Sequence, residues 1–268
     1  MTPTTVENVK QAYDQQGYYI VDHPALPADQ VQAAVKGMDK VREGNYDTGK
    51  PPAESPWNPG DDVSKLCKIE MPQISDLSIR KLISSPILGE WAAKATGAKM
   101  VQVWWVQLLY KPSAPKGTKA PTNVGWHQDM QYWIEWQPGS ELFTAWVALS
   151  DVTEDAGPMI FVPGSHKWGM TEGGDFFDQN IDSQKGAYKV PQGEAWTEEL
   201  DTLPAGGFSF HHCHTIHGSG ANYSGQPRRS FAIHLRTEKS TLAPDANRVL
   251  TRFLDDETLN PVIYGKRQ

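Results

Sequence analysis

The amino-acid sequence predicts a mainly β chain with flanking helices, and three observations carry that reading. Apolar residues at helical spacing are confined to the first third of the chain. From Met100 onward they give way to short β-like runs separated by Gly/Pro turns, and two long polar loops interrupt those runs. Helices first and many short strands afterwards is the pattern of helices packed outside a double-layered sheet or barrel.

Taken in order, Thr4 or Thr5 can cap a first helix that runs to about Gln16, where Gly17 stops it, and YYIVDH (18–23) reads as a short strand. A second helix starts at Pro27 to Asp29 and runs to about Arg42, with Val31, Ala34, Val35 and Met38 as its apolar stripe. The Gly/Pro/Asn-rich stretch 44–62 repeats at neither period and reads as loop. A third helical segment spans about 77–96, broken near Pro86. Strands follow at 100–110, 142–150, 158–162, 207–213 and 229–237, with GPM, PGSH, PAGG and SGQP as turns. The loops at 111–126 and 167–199 are long enough to act as lids or binding loops. No internal repeat or linker divides the sequence. It reads as a single domain over 1–268, with a helical part at about 1–98, a β core at about 99–240 and a C-terminal extension at 241–268.

Composition narrows the function classes. The chain has 268 residues, 25 basic and 32 acidic side chains, a formal net charge of −7 and no Lys/Arg run, which argues against a nucleic-acid partner. The most apolar stretch, 101–110, is too short to span a bilayer, and the N-terminus is polar where a signal peptide would be apolar. Cys67 and Cys213 form no disulfide framework and fit a reducing compartment. The expectation is a cytoplasmic protein acting on a small molecule, without a membrane or nucleic-acid partner.

The strongest local motif is WHQD, which places His127 and Asp129 two residues apart at the start of a strand. Side chains at that spacing share a face and can converge on one metal ion. A second cluster, His211, His212, His214 and His217 in FSFHHCHTIHGSG, lies about 90 residues on. Two histidines and a carboxylate with open positions suit non-haem Fe(II), whereas three or four imidazoles, His127 among them, suit zinc. Arg228 follows in GQPRRSFAIHLR at the opening of an apolar strand. A guanidinium there calls for a carboxylate held by two parallel hydrogen bonds. A metal chelator with a distal carboxylate satisfies both centres, and 2-oxoglutarate has that shape.

With these motifs together the sequence resembles the phytanoyl-CoA dioxygenase-like family of Fe(II)/2-oxoglutarate-dependent oxygenases. The matching pieces are WHQDMQYW (126–133), TAWVALSDVTEDAGPMIFVPGSHKWG (144–169) and HTIHGSGANYSGQPRRSFAIHLR (214–236), with a weaker match at GYYIVDHPAL (17–26). The resemblance implies a double-stranded β-helix, the cupin-like jelly roll. It makes His127, Asp129 and His217 the iron ligands and catalytic residues, and Arg228 the anchor of the 2-oxoglutarate carboxylate, with support from Ser219. Trp146, Gln107 and Lys68 are the further co-substrate positions it implies, although Lys68 is equally read as a solvated surface lysine. Arg229 would replace Arg228 if the strand register were shifted by one. PGSH, with His166, is a structural turn in the family. Because the carboxylate of Asp129 is present, hydroxylation or another oxidation with Fe(II), 2-oxoglutarate and O2 is implied rather than halogenation.

For substrate contact, Gln131 and Trp133 share the strand face of His127 and Asp129, and Trp105 adds to an aromatic wall. Glu135 or the acidic loop 171–182 could receive an amine. A CoA thioester is disfavoured, since no basic patch is visible for its phosphates. Two rival classes remain open: a zinc-dependent cupin-like enzyme using the histidine cluster, and a non-catalytic jelly-roll binding module using the ten tryptophans.

Overall fold

A computed structural model of the chain describes residues 6–244 and 246–267. The predicted caps Thr4 and Thr5 lie outside the described residues. The helices are α1 (Val6–Gln16), α2 (Ala28–Arg42), α3 (Leu77–Ile83), α4 (Pro86–Thr96) and the short α5 (Ile181–Lys185). The strands are β1 (Tyr18–Val21), β2 (Cys67–Glu70), β3 (Val101–Lys111), β4 (Val124–His127), β5 (Leu142–Ala148), β6 (Met159–Phe161), β7 (Glu199–Asp201), β8 (Phe208–His212), β9 (His217–Ser219), β10 (Arg228–Thr237) and β11 (Val262–Tyr264).

The break in the third helical segment has a local cause. Ser85 precedes Pro86, whose ring disfavours helical backbone at the residue before it, and Ser85 is extended (φ −61°, ψ 122°). Pro86 then occupies the first turn of α4, where its missing N–H costs nothing. Asp76 starts α3 by accepting the backbone N–H groups of Ser78 and Ile79.

Two antiparallel sheets face each other. The larger runs β1-β8-β5-β10-β3-β11, with β2 also on β3, and the smaller runs β4-β9-β6-β7. This is the double-stranded β-helix, mainly β with helices outside. The larger sheet is buried on both faces: β5 is buried throughout, and in β10 Arg229 alone is part-exposed. Its outer face, with Phe143, Ala145, Val147, Phe231, Ile233 and Leu235, packs on Val9 and Tyr13 of α1, Val31, Ala34 and Met38 of α2, and Leu88 and Ala92 of α4. Full burial of each large side chain there contributes about 1.5–3 kcal/mol. The inner face carries Thr144, Trp146, Ser230, Ala232 and His234 towards the smaller sheet. That alternation supplies the site.

Three features depart from the sequence reading. Strands β2, β7, β9 and β11 are too short to show a period. Trp104 is an extra residue in the β10–β3 ladder: His234 pairs with Trp105 and Leu235 with Val103. This bulge puts Trp104 and Trp105 into one cluster with Trp133, Trp136 and Leu254. Finally, residues Asp129–Tyr132 form a 3-10 turn, not the continuation of a strand.

Candidate functional site

His127 ends β4 and His217 opens β9, and the two are direct cross-strand partners with ring centroids 4.1 Å apart. Their Nδ1 atoms lie 2.8 Å from the Gly125 carbonyl and 2.9 Å from the Thr215 carbonyl. A carbonyl only accepts, so each ring carries its proton on Nδ1 and presents the Nε2 lone pair inward. Both Nε2 atoms are 3.7 Å from Oδ1 of Asp129, at the head of the 3-10 turn. The three groups are buried, and their ligand atoms lie within 4.8 Å of one another. Three acceptors converging with no donor between them repel one another unless a cation sits among them, so the donor set fits a metal ion.

The charge states agree. Burial first, and then the neighbouring His127 and His211, push His217 well below the usual imidazole range, leaving it neutral. Burial alone would raise the Asp129 carboxyl, but the facing His217, His127 and His211 outweigh it and hold Asp129 well below the usual carboxylate range.

The other oxygen of Asp129 is held from behind. Oδ2 accepts from the Thr144 hydroxyl at 2.7 Å and from His211 Nε2 at 3.1 Å. Thr144 in turn accepts from His234 Nδ1 at 2.9 Å, and the His234 ring packs on Trp104 and Trp133. Sequence reasoning missed Thr144 and His234. The available signal was spacing: His234 lies an even number of residues from Arg228 on one strand, and Thr144 two from Trp146, so each shares the inner face.

A cavity of about 190 Å³ adjoins these ligand atoms, lined by Lys68, Glu70, Trp105, Gln107, Tyr132, Trp133, Trp146, Phe176, Phe177, Ser219 and Arg228 among others. Arg228 lies at one end, buried. It donates from Nη1 to the Gly157 carbonyl at 2.5 Å, its Nε has no partner among the described residues, and its guanidinium lies 5.1 Å from the centre of the Trp146 ring. Gly157 adopts φ +66°, and a Cβ there would lie 2.5 Å from the Gly220 carbonyl, so glycine is required for this contact. Arg229 points the other way, onto Asp39 at 3.3 Å and the Tyr110 ring, which resolves the register in favour of Arg228. Ser219 sits beside Arg228 in the cavity wall and accepts from Lys111 Nζ at 2.6 Å. Lys111 was not singled out in the sequence.

Lys68 is not a free surface lysine. Its Nζ lies 3.0 Å from Glu70 and 4.6 Å from the centre of the Phe176 ring. Glu70 also accepts from Trp105 Nε1 at 2.6 Å and from Gln107 at 3.4 Å. Trp133 and Trp105 line the cavity, but Gln131 does not: the 3-10 turn rotates it away from His127 and Asp129, and its amide donates to Gly174. Glu135 is likewise committed elsewhere. Its buried carboxylate accepts from the N–H groups of Val249, Leu250 and Thr251 and from the Thr251 hydroxyl, pinning the C-terminal segment.

The loop 167–199 closes over the metal motif. Its Asp175–Phe176 backbone pairs with β4, and Gly125 admits it, since a Cβ there would lie 2.1 Å from the Asp175 carbonyl. Gln128, between the two ligands, holds the same loop by donating to Gly169 and accepting from Thr171. Phe176 packs edge-on against His127 at 5.2 Å. His212, the buried Cys213 and His214 form a separate cluster in which His212 Nδ1 accepts the backbone N–H of His214. His166 contacts the Asp14 carbonyl, away from the site. Among the described residues no helix is long and apolar enough to cross a membrane.

Comparison with known proteins adds three findings. The family described as phytanoyl-CoA dioxygenase (PhyH) matches residues 13–230. Two curated relatives are the probable alpha-ketoglutarate-dependent hypophosphite dioxygenase of Stutzerimonas stutzeri, 28% identical over 65% of this chain and 58% of its own, and the ectoine dioxygenase of Halomonas elongata, 31% identical over 50% and 45%. The chain thus spans about half the length of these two relatives. Among solved structures, the epimerase SnoN in complex with Fe3+, alpha ketoglutarate and nogalamycin RO superposes with a TM-score of 0.68 over 91% of this chain and 88% of its own, at 22% identity, which is a likeness of fold.

Proposed function

From the premise that the chain belongs to the phytanoyl-CoA dioxygenase (PhyH) family, we propose that it is a non-haem Fe(II)- and 2-oxoglutarate-dependent dioxygenase that hydroxylates a C–H bond of a small molecule. The observation that carries this reading is the pairing, in one cavity, of three converging acceptor atoms from His127, Asp129 and His217 with a buried, under-bonded guanidinium from Arg228. The first set suits a divalent metal, and the second suits the distal carboxylate of a chelating keto acid. When bound, Fe(II) and 2-oxoglutarate supply oxidation of the substrate C–H bond by O2, the keto acid leaving as succinate and CO2.

The chain's own residues do the rest. His127, Asp129 and His217 would hold the metal, with Thr144 and His211 keeping Asp129 Oδ1 turned inward. Arg228 and Ser219 would take the distal carboxylate, with Trp146 and Gln107 as walls. Lys68 stays with Glu70 at the cavity side under Phe176, so its contribution is to seat the loop and line the site rather than to bond the keto acid. Trp105, Trp133, Tyr132, Phe176 and Phe177 give the substrate a largely apolar wall. The aromatic wall supports a small substrate with an apolar body, and the free, buried Cys67 and Cys213 support a cytoplasmic setting.

The test is anaerobic reconstitution with Fe(II) and 2-oxoglutarate, followed by oxygen-dependent succinate release. A visible charge-transfer band that weakens in Asp129→Ala and in Arg228→Ala is the expected result. Absence of a band with zinc retained on purification would replace this reading with the zinc cupin-like one.

A further inference from the structure

Two apolar groups of side chains wall the cavity. Leu109, Met159 and Ala232 pack with Trp146, the ring beside Arg228. Trp105, Trp133 and Leu250 belong to a second group, which also holds Trp104, Trp136 and Leu254. The keto acid takes the Arg228 side, which leaves the second group to meet the substrate. Leu250 comes from the C-terminal segment, beyond the residues 13–230 that match the family. Among the described residues that line the cavity, it alone lies past β10.

A buried carboxylate holds the segment at that wall. Glu135 Oε1 accepts the N–H groups of Val249 and Leu250 at 2.7 and 2.8 Å, and Oε2 accepts the Thr251 N–H at 2.9 Å and its hydroxyl at 2.6 Å. Three successive N–H groups turned to one anion form a nest, so a single side chain fixes the backbone at Leu250. Among the described residues Glu135 has no cationic partner, and these four donors are what compensate its burial. Just upstream, Ala243 donates to the Glu135 carbonyl at 2.9 Å and the Gln137 amide to the Leu242 carbonyl at 3.0 Å. The segment is thereby tied to the stretch that follows Trp133, and Arg252 lies 5.4 Å from the centre of the Trp105 ring.

Resting on the dioxygenase reading above, we propose that Leu250 sets how long an apolar body the cavity admits, and that Glu135 is the positioning residue that holds it there. The substrate class is a small molecule with an uncharged alkyl or ring portion, to which Leu250, Trp105 and Trp133 offer apolar surface. Glu70, the acid beside Trp105, is already taken up by Lys68, Trp105 and Gln107, so a cationic substrate group finds no open partner in it. Shortening Leu250 lengthens the space, a larger side chain shortens it, and loosening Glu135 blurs the limit.

The experiment titrates 1-butanol, 1-hexanol and 1-octanol into the anaerobic protein loaded with Fe(II) and 2-oxoglutarate, following the heat of binding and the intrinsic tryptophan fluorescence. Each methylene that finds apolar surface adds about fourfold in affinity. Leu250→Ala is expected to raise the octanol-to-butanol affinity ratio about 10-fold and Leu250→Trp to lower it about 10-fold, with 2-oxoglutarate affinity within about twofold in both. Glu135→Gln turns an amide donor on the nest and should move the ratio in the direction of Leu250→Ala by about three- to tenfold. A merely structural residue would lower the melting temperature and leave the ratio alone, so an unchanged ratio in Glu135→Gln would remove Glu135 from the proposal. An unchanged ratio in both Leu250 variants, or a wild type that binds none of the three alcohols, would overturn the proposal as a whole. Should Glu135→Gln not fold, Thr251→Val deletes one of the four donors and should shift the ratio the same way by about two- to threefold. Failure of the wild type to bind 2-oxoglutarate would instead overturn the dioxygenase reading, and the same titrations on the metal-free protein would still decide the role of Leu250.

Discussion

At one end of the cavity His127, His217 and Asp129 turn three acceptor atoms towards a common point with no donor among them. At the other end Arg228 brings a buried guanidinium whose Nε has no partner among the described residues, with Ser219 also in the cavity wall. Each end is electrostatically incomplete by itself, and in opposite senses. A cation relieves the first and a carboxylate the second, so a metal chelated by a keto acid with a distal carboxylate relieves both together. The contrast teaches that buried polar groups left unpaired in a well-packed core point to what is to be bound. The same sheet, on its outer face, has Phe231, Ile233 and Leu235 against helices and leaves nothing to complete.

The largest effect breaks the acceptor end. Asp129→Ala removes its only anionic donor, and Fe(II) binding should weaken severely while oxidation falls to background. Metal titration together with succinate release checks this, and full activity without Asp129 would dissolve the comparison. At the donor end, Arg228→Met should raise the dissociation constant for 2-oxoglutarate about 10²-fold, the loss of paired charge-assisted hydrogen bonds, with metal affinity in the absence of keto acid nearly unchanged. Equal losses of metal and keto acid would show that the two ends are one unit.

Asp201 sharpens the charge balance of the donor end through pH. Its folded carboxyl is raised from 3.8 to about 7, by burial first, against the pull of Ser209 and Arg228. A raised acid binds more protons folded than unfolded, so its stabilising share is complete below about pH 4 and is lost as pH rises to about 7. Across that window wild-type stability should fall by up to about 1.4 kcal/mol per pH unit from this group, and Asp201→Asn should flatten the slope. Denaturant melts at stepped pH values measure both. Parallel slopes in the two proteins would remove Asp201 from the balance.

How much of this was legible in the sequence differs between the two ends. His127 and Asp129 could be paired from their two-residue offset, whereas choosing His217 among four nearby histidines rested on HGSG and the family resemblance. Arg228 followed from its place at the head of a strand. Lys111 was invisible, since a lysine that ends an apolar run before a proline looks like any strand terminating in solvent; only the ladder that sets it opposite Arg228 reveals it. Gln131 misled for a related reason. Alternation assumes a strand, and the chain turns into a 3-10 coil at Asp129, where Gln128 and Gln131 cap it and reach for the loop instead. Glu135 read as an open acid, but its partners lie more than a hundred residues on, in a segment with no motif. The outer face of the sheet was readable as apolar strand almost to the residue, whereas β7, β9 and β11 depend on pairing that three residues cannot announce.

The smallest effect asks whether the acceptor end is tuned from behind. Thr144→Val keeps the shape of the side chain and deletes the hydroxyl that donates to Asp129 Oδ2 and accepts from His234. His211 still holds Oδ2, so the carboxylate stays in place with one donor fewer and becomes freer to rotate. Groups that orient metal ligands contribute about 10–100-fold to metal affinity, and with one of two donors remaining the loss should lie near the lower value, about tenfold. At saturating metal, 2-oxoglutarate affinity should stay within about twofold, since no atom of the donor end moves. His234 Nδ1 loses its acceptor as well, and a modest drop in melting temperature without loss of fold should accompany the change. If keto-acid affinity falls as far as metal affinity, strain at Asp129 is transmitted across the cavity through β5 to Trp146 and Arg228, and the two ends must be treated as mechanically coupled.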